Sequence, residues 1–321
     1  MSRFPRLWTR PNAGVDVMNR CIQGRHLLKP CPRLNEIIIG ALAKARERYP
    51  VNIYSGAFLS SHFHIYLQAP TVQIQSQFMA YFTRKLSVEI GILYDWKTST
   101  FPDRYHAAEV SQEPEAQVKR LVYHLKNGAK EGLVDGPLDW PGVNFVEALI
   151  TGEPLKGIWI DRSGYYRACQ RNEDVTLEDF TEHLELPIAP LPCWAHLSQE
   201  TRRDLVLDII REIEEETAAG HAEKGTAPLG AEAVLAGHPH YYPAKLKKSP
   251  QPLFHAFRKK VRREMREAFL LILVAYYEAA ERLKAGERDV DFPENTFPPG
   301  LPFVELTWAM ARHTLRSPEP G

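Results

Sequence analysis

Along the first 130 residues the apolar positions switch between two periods, one suited to strands and one to helices. Val15, Val17, Cys21 and Ile22 fit a first strand over residues 14–22. From Pro32 onward Leu34, Ile37, Ile38, Ala41, Leu42 and Ala45 recur near every 3.6 residues and predict a helix. It stops before Pro50, because the residue preceding a proline disfavours helical backbone. Residues 51–59 read as a second strand and 62–67 as a third, joined by Ser60 and Ser61 as an antiparallel hairpin. Ile74, Phe78, Phe82, Leu86 and Ile90 stand four apart and predict a helix over 72–90, closed by Gly91. Residues 94–110 are strand-like. Glu113, Pro114 and Glu115 suit the first turn of a third helix, with Val118, Leu121, Val122 and Leu125 apolar, ending near Lys130.

Strand, helix, strand, strand, helix, strand is the split-βαβ order of ferredoxin-like folds. The expected class is therefore α+β: a ferredoxin-like antiparallel sheet with helices on one face, followed by a mostly α-helical C-terminal domain. At 321 residues the chain exceeds one typical domain of about 100–200, and a change in composition divides it into 1–160 and 161–321. In the second part, 176–184 reads as a short acidic helix and Pro187, Pro190 and Pro192 break the chain. Residues 198–219 form a strong helix with capping residues at its start, and 220–230 read as flexible. A long helix runs from Pro252 through Ala285, basic in its first half and apolar in its second. A proline-rich tail over 292–302 wraps back, and residues 1–12 form a loose basic arm.

Charge adds one asymmetry. Net charge is zero, but Lys and Arg number 18 against 10 Asp and Glu through Val134, and 22 against 30 after it. A basic first part suggests a polyanion partner. Cys21, Cys31, Cys169 and Cys193 show no zinc-finger spacing and fit reduced thiols. The start lacks a continuous apolar core, and the longest apolar run, 268–277, is ten residues where a membrane span needs about 20. A soluble, cytoplasmic, nucleoid-associated protein with no membrane partner is expected.

The candidate chemistry begins at His62-Phe63-His64. Residues i and i+2 of a strand share a face, so two imidazoles about 7 Å apart can converge on one metal ion. In the third helix Tyr123 and Asn127 share a face at i, i+4, and Lys126 and Lys130 form a second such pair. A phenol with an ordinary pKa near 10 is a weak nucleophile at neutral pH. A metal that polarises a phosphate would compensate, and an amide oxygen from Asn127 beside two imidazoles suits Mg²⁺ or Mn²⁺.

With these residues the sequence resembles the single-tyrosine HUH transposases, in particular the REP-associated tyrosine transposase type of the insertion-sequence-200-like superfamily. The resemblance rests on His62-Phe63-His64, on Tyr123 with Asn127 and the following Gly132-Leu133-Val134, and on the segments around Val17–Arg20 and Arg84-Lys85-Leu86. It spans roughly residues 12–150. It implies cleavage and rejoining of single-stranded or hairpin DNA: Tyr123 attacks a backbone phosphate and forms a 5′-phosphotyrosine link. His62, His64 and Asn127 would hold Mg²⁺ or Mn²⁺, and Arg20, Arg84, Lys85, Lys126 and Lys130 are the candidate DNA-binding residues. Where the family often has Asn-Pro-Val, this chain has Asn127-Gly128-Ala129, a glycine expected to loosen Asn127. The alternatives are a non-catalytic or domesticated protein that binds structured DNA on the same fold, and a phosphodiesterase that uses water. The basic helix face over 258–266 is a candidate accessory DNA surface, and the apolar half of that helix a candidate homodimer surface. His106 and His124 read as structural or exposed, and His238 and His240 as loop residues.

Overall fold

In the computed structural model, residues 5–245 and 251–299 are described. The chain runs β1 (Gly14–Arg20), α1 (Pro32–Arg48), β2 (Asn52–Leu59), β3 (His62–Gln68), α2 (Val72–Tyr94), β4 (His106–Val110), α3 (Pro114–Leu125) and the single turn α4 (Asn127–Lys130). Then follow α5 (Val146–Thr151), β5 (Leu155–Ile160), α6 (Arg162–Gln170), β6 (Thr181–Leu186), α7 (Gln199–Lys224), α8 (Ala231–Ala236), β7 (Phe254–His255) and α9 (Lys259–Lys284). The main sheet has the order β2-β3-β1-β4-β7. Its first four strands pair antiparallel, with β1 and β3 at the centre and α1 and α2 as the connections, which is the split-βαβ arrangement.

Alternation along the strands assigns the two faces. Val15, Val17, Phe63, Ile65 and Leu67 point into a large core with Leu34, Ile38 and Leu42 of α1 and Phe78, Phe82 and Leu86 of α2. Helices thus cover one face as expected. The opposite face is covered too, by α3 and α7, whose Leu121, Leu125, Val206 and Ile210 share a second core with Tyr54 and Tyr66. Being covered on both sides, β3 carries apolar residues on both faces yet can bury polar groups between the sheet and α3.

The structure departs from expectation at several boundaries. Gly91 does not end α2; the helix continues to Tyr94 and stops at Asp95, which takes the left-handed conformation with φ 51°. Strand β4 is confined to five residues, so 94–105 is mostly not extended. The expected acidic helix over 176–184 is a short 3₁₀ turn followed by β6, which pairs with β5 in a separate hairpin. That hairpin packs against α1, and a Cβ on Gly40 would lie 1.9 Å from the Ile158 carbonyl oxygen, so only glycine permits the approach. Helix α7 runs to Lys224, five residues beyond 219. Helix α9 begins at Lys259 rather than after Pro252, because Phe254 and His255 first add a short parallel strand beside β4.

The arm is not loose where it is described. Trp8 is buried, Thr9 and Arg10 bind Glu109, and the backbone of Arg6 and Trp8 pairs with Phe297 and Asn295 of the returning tail. Residues 1–4, 246–250 and 300–321, including Lys247 and Lys248 and the end of the proline-rich tail, lie outside the described residues. Among the described residues, no helix is long and apolar enough to cross a membrane.

Candidate functional site

The face of the sheet beneath α3 gathers the chemistry. On β3, His62 and His64 alternate with the core residues Phe63 and Ile65 and so point toward α3. On β1, Asp16 alternates with Val15 and Val17; Met18 pairs with His64 and Asp16 with Tyr66, which puts Asp16 diagonally beside His64. From above, Arg120, Tyr123, His124 and Asn127 stand at i, i+3, i+4 and i+7 on one side of the α3–α4 helix. From the edge, β7 delivers His255.

Asp16 is the hub. Its Oδ1 lies 3.1 Å from His124 Nε2 and 3.8 Å from His64 Nδ1, and its Oδ2 lies 3.4 Å from both Arg120 Nη1 and His255 Nε2. Burial opposes a charge there, but the pull of His124 and contacts from His124 and His255 hold the carboxyl well below the usual carboxylate range. Burial pushes His124 the other way, below an ordinary imidazole. His124 Nε2 faces the carboxylate at 3.1 Å, and its other ring nitrogen, Nδ1, lies 2.8 Å from the Ser55 hydroxyl.

Around the hub, ring centroids of His62 and His64 are 5.5 Å apart, and those of His64 and Tyr123 are 5.2 Å apart. Burial pushes His62 down to about 3, with the nearby Arg20 and Lys130 cations adding to the effect, so its ring is a neutral base. Tyr123 is half-buried. Burial and the Asp16 charge raise its pKa, while Arg120 and Arg20 pull it down. The Arg120 guanidinium and the Lys130 ammonium each sit 4.8 Å from the Tyr123 ring centroid.

Of the residues singled out by sequence, His62, His64, Tyr123, Arg20 and Lys130 thus come together. Asn127 is buried on the same helix face, and its amide nitrogen finds no hydrogen-bond partner among the described residues. The neighbouring Gly128 does not loosen it: a Cβ there would lie 2.9 Å from Val134 and 3.1 Å from Trp140, so the turn is tightly packed. Lys126 points away and pairs with Glu216 of α7. Arg84 and Lys85 lie on α2, in the helix layer across the sheet, where Lys85 stacks 4.7 Å from the Trp159 ring; they are not brought to the site. Sequence reasoning missed Asp16, Ser55, Arg120, His124 and His255. The available signals were a lone carboxylate between Val15 and Val17, and the i, i+4 pair Arg120–His124 on the tyrosine helix.

The donor set suits a divalent cation. Among the described residues His64 Nδ1 is buried without a hydrogen-bond partner, His62 is neutral, and one ligand atom each of Asp16, His64 and His124 lie within 4.8 Å of one another. A carboxylate thus stands beside the imidazoles, a potential donor the sequence pattern had not included.

Fold and site together define an α+β protein with a phenol, imidazoles and a buried carboxylate clustered between an antiparallel sheet and a helix. No protein-family model matches the chain, and no curated protein matches it. Among solved structures it is similar to a REP-associated tyrosine transposase bound to a REP hairpin, at 16% identity over 47% of this chain and 86% of that one, with TM-score 0.40. It is also similar to a candidate transposase from Deinococcus radiodurans, at 12% identity over 35% of this chain and 89% of that one, with TM-score 0.26.

Proposed function

We propose that this protein is a metal-dependent single-tyrosine transesterase that cuts and rejoins single-stranded DNA, as in DNA transposition. One observation carries the reading: the Tyr123 phenol, 5.2 Å ring to ring from His64, stands beside a buried carboxylate–imidazole cluster with cations over its ring. A phosphodiester entering this cleft would meet a nucleophile, cation-binding donors and positive side chains at once.

In the proposed reaction the Tyr123 oxygen attacks phosphorus while the bond to the 3′ oxygen breaks. The phenolic proton leaves and the freed 3′ oxygen takes one up, giving a 5′-phosphotyrosine and a 3′-hydroxyl. Rejoining is the reverse attack by a 3′-hydroxyl, so the bond energy is conserved and no ATP is needed. A divalent ion, Mg²⁺ or Mn²⁺, would be held by His62 and His64 with Asn127 or Asp16 and would make phosphorus more electrophilic. Arg120 and Lys130 favour the phenolate that must form, since cations over a ring stabilise negative charge on it. Arg20 and Lys130 serve as phosphate contacts, with residues 1–160 as the catalytic part and 161–321 as an accessory part.

Incubation with labelled single-stranded DNA and Mn²⁺ tests this. A covalent adduct that resists denaturation and is absent in Tyr123→Phe supports transesterification. Cutting without an adduct would replace it with the water route, and binding alone with a recognition protein.

A further inference from the structure

A second surface adjoins the site and is built largely from chain outside the segment that resembles the transposases. Between α3 and the β7–α9 segment lies a cavity of about 650 Å³, lined by Lys119 and Arg120 from α3, His255 from β7 and Arg262 and Arg266 from α9. Among the described residues no carboxylate lines it. In a chain of net charge zero this is a local concentration of positive charge. On the outer side of α9 the cations are matched, Lys260 with Glu264 at 3.9 Å and Arg263 with Glu267 at 3.6 Å. In the groove, Lys119 and Arg266 have no ion pair among the described residues, and the Arg262 guanidinium donates to the Ala256 carbonyl at 3.1 Å. Phe257, also lining the groove, is 57% exposed. Cations tracking a groove with an exposed aromatic side chain are the usual furniture of single-strand recognition, the aromatic stacking on a base of any sequence.

The groove runs into the site. Arg120 lines it, touches Asp16 and lies over Tyr123. We propose that this groove binds the single-stranded DNA that continues from the phosphate facing Tyr123, with Lys119, Arg262 and Arg266 on successive phosphates and Phe257 under a base. The proposal deepens the transesterase reading and rests on it for the direction of the strand. The C-terminal helix is then part of the substrate channel, held against α3 by Glu113. That carboxylate accepts from the backbone nitrogens of Phe257 and Arg258 and from the Arg258 guanidinium.

The test uses the full chain and a fluorescent mixed-sequence oligodeoxynucleotide, with affinity read by anisotropy over a salt series. Lys119→Ala with Arg266→Ala is expected to weaken binding at least tenfold. It should also flatten the slope of log affinity against log salt by about 1.4, since each single-strand phosphate contact contributes about 0.7. Phe257→Ala is expected to weaken binding about tenfold with the slope unchanged. Lys260→Ala with Arg263→Ala, on the paired outer side, should change affinity less than twofold. Unchanged affinity and slope in the Lys119/Arg266 variant, with its circular dichroism and melting unaltered, would overturn the groove. So would equal affinity for duplex DNA or for RNA of the same sequence. The covalent adduct is read separately. Groove-dependent binding without an adduct sinks the transesterase and keeps the groove, while an adduct with groove-independent binding does the reverse.

Discussion

Asp16 Oδ1 sits 3.1 Å from His124 Nε2, joining the centre of the sheet to the helix that carries Tyr123. Both residues are buried, and the same carboxylate also faces His64, Arg120 and His255. Removing its charge leaves the Arg120 guanidinium inside the protein without a counter-ion. Asp16→Asn is expected to cost about 3–5 kcal/mol of stability, the range for breaking one partner of a buried ion pair. Urea unfolding of the metal-free protein would measure it; a loss below about 1 kcal/mol would mean that water or relaxation already compensates the group.

Metal binding should discriminate among the donors. His64 belongs to both candidate ligand sets, so His64→Ala is expected to abolish measurable Mn²⁺ binding by calorimetry or electron paramagnetic resonance. Asp16→Asn should weaken it at least about tenfold, whether the carboxylate ligates or orients His64. Comparing Asn127→Ala with His124→Ala then tells which third donor counts.

Much of the fold was legible in the sequence because one period dominated each segment. The four antiparallel strands, α1, α2 and α3 follow from alternation and i, i+4 apolar spacing with proline boundaries. The β5–β6 hairpin was not, since its second strand, Thr181–Leu186, carries exposed Glu182, His183 and Glu185 and becomes a strand by pairing with β5 beside α1. Strand β7, two residues long, carries no period at all. At the site, the histidines and the tyrosine share short local patterns, whereas Asp16 reaches the cluster through strand register, 104 residues before Arg120, and His255 through an edge pairing, 135 residues after it. Local spacing cannot report that.

Glycine positions give a paired stability test. At Gly40 a Cβ would meet the Ile158 carbonyl oxygen at 1.9 Å, so Gly40→Ala must push α1 off β5 and is expected to cost about 1–3 kcal/mol. At Gly220, within α7, a Cβ meets nothing within 4 Å, and Gly220→Ala should instead stabilise by about 0.5–1 kcal/mol. Thermal melts of both variants would check the signs.

Acid should release the C-terminal segment. Burial opposes the Glu113 charge, but hydrogen bonds from Arg258, Ser111 and the Phe257 and Arg258 backbone bring its pKa down to about 2. A carboxylate depressed in the folded state stabilises fully above its unfolded pKa of 4.5 and loses that contribution as pH falls toward 2. Amide exchange at Phe257 and Arg258 is therefore expected to rise as pH drops from about 4.5 to 2, after correction for intrinsic rates. Glu113→Gln should already show the raised exchange at neutral pH and respond less to acid.

A single gel speaks to the chemistry assigned to Tyr123. The wild-type chain, incubated with end-labelled single-stranded DNA and Mn²⁺, should give a denaturation-resistant protein–DNA band. Tyr123→Phe should bind the same DNA with affinity within about twofold and give no such band. An adduct of equal yield in Tyr123→Phe, or wild-type cleavage that never passes through an adduct, would contradict the assignment of Tyr123 as the nucleophile.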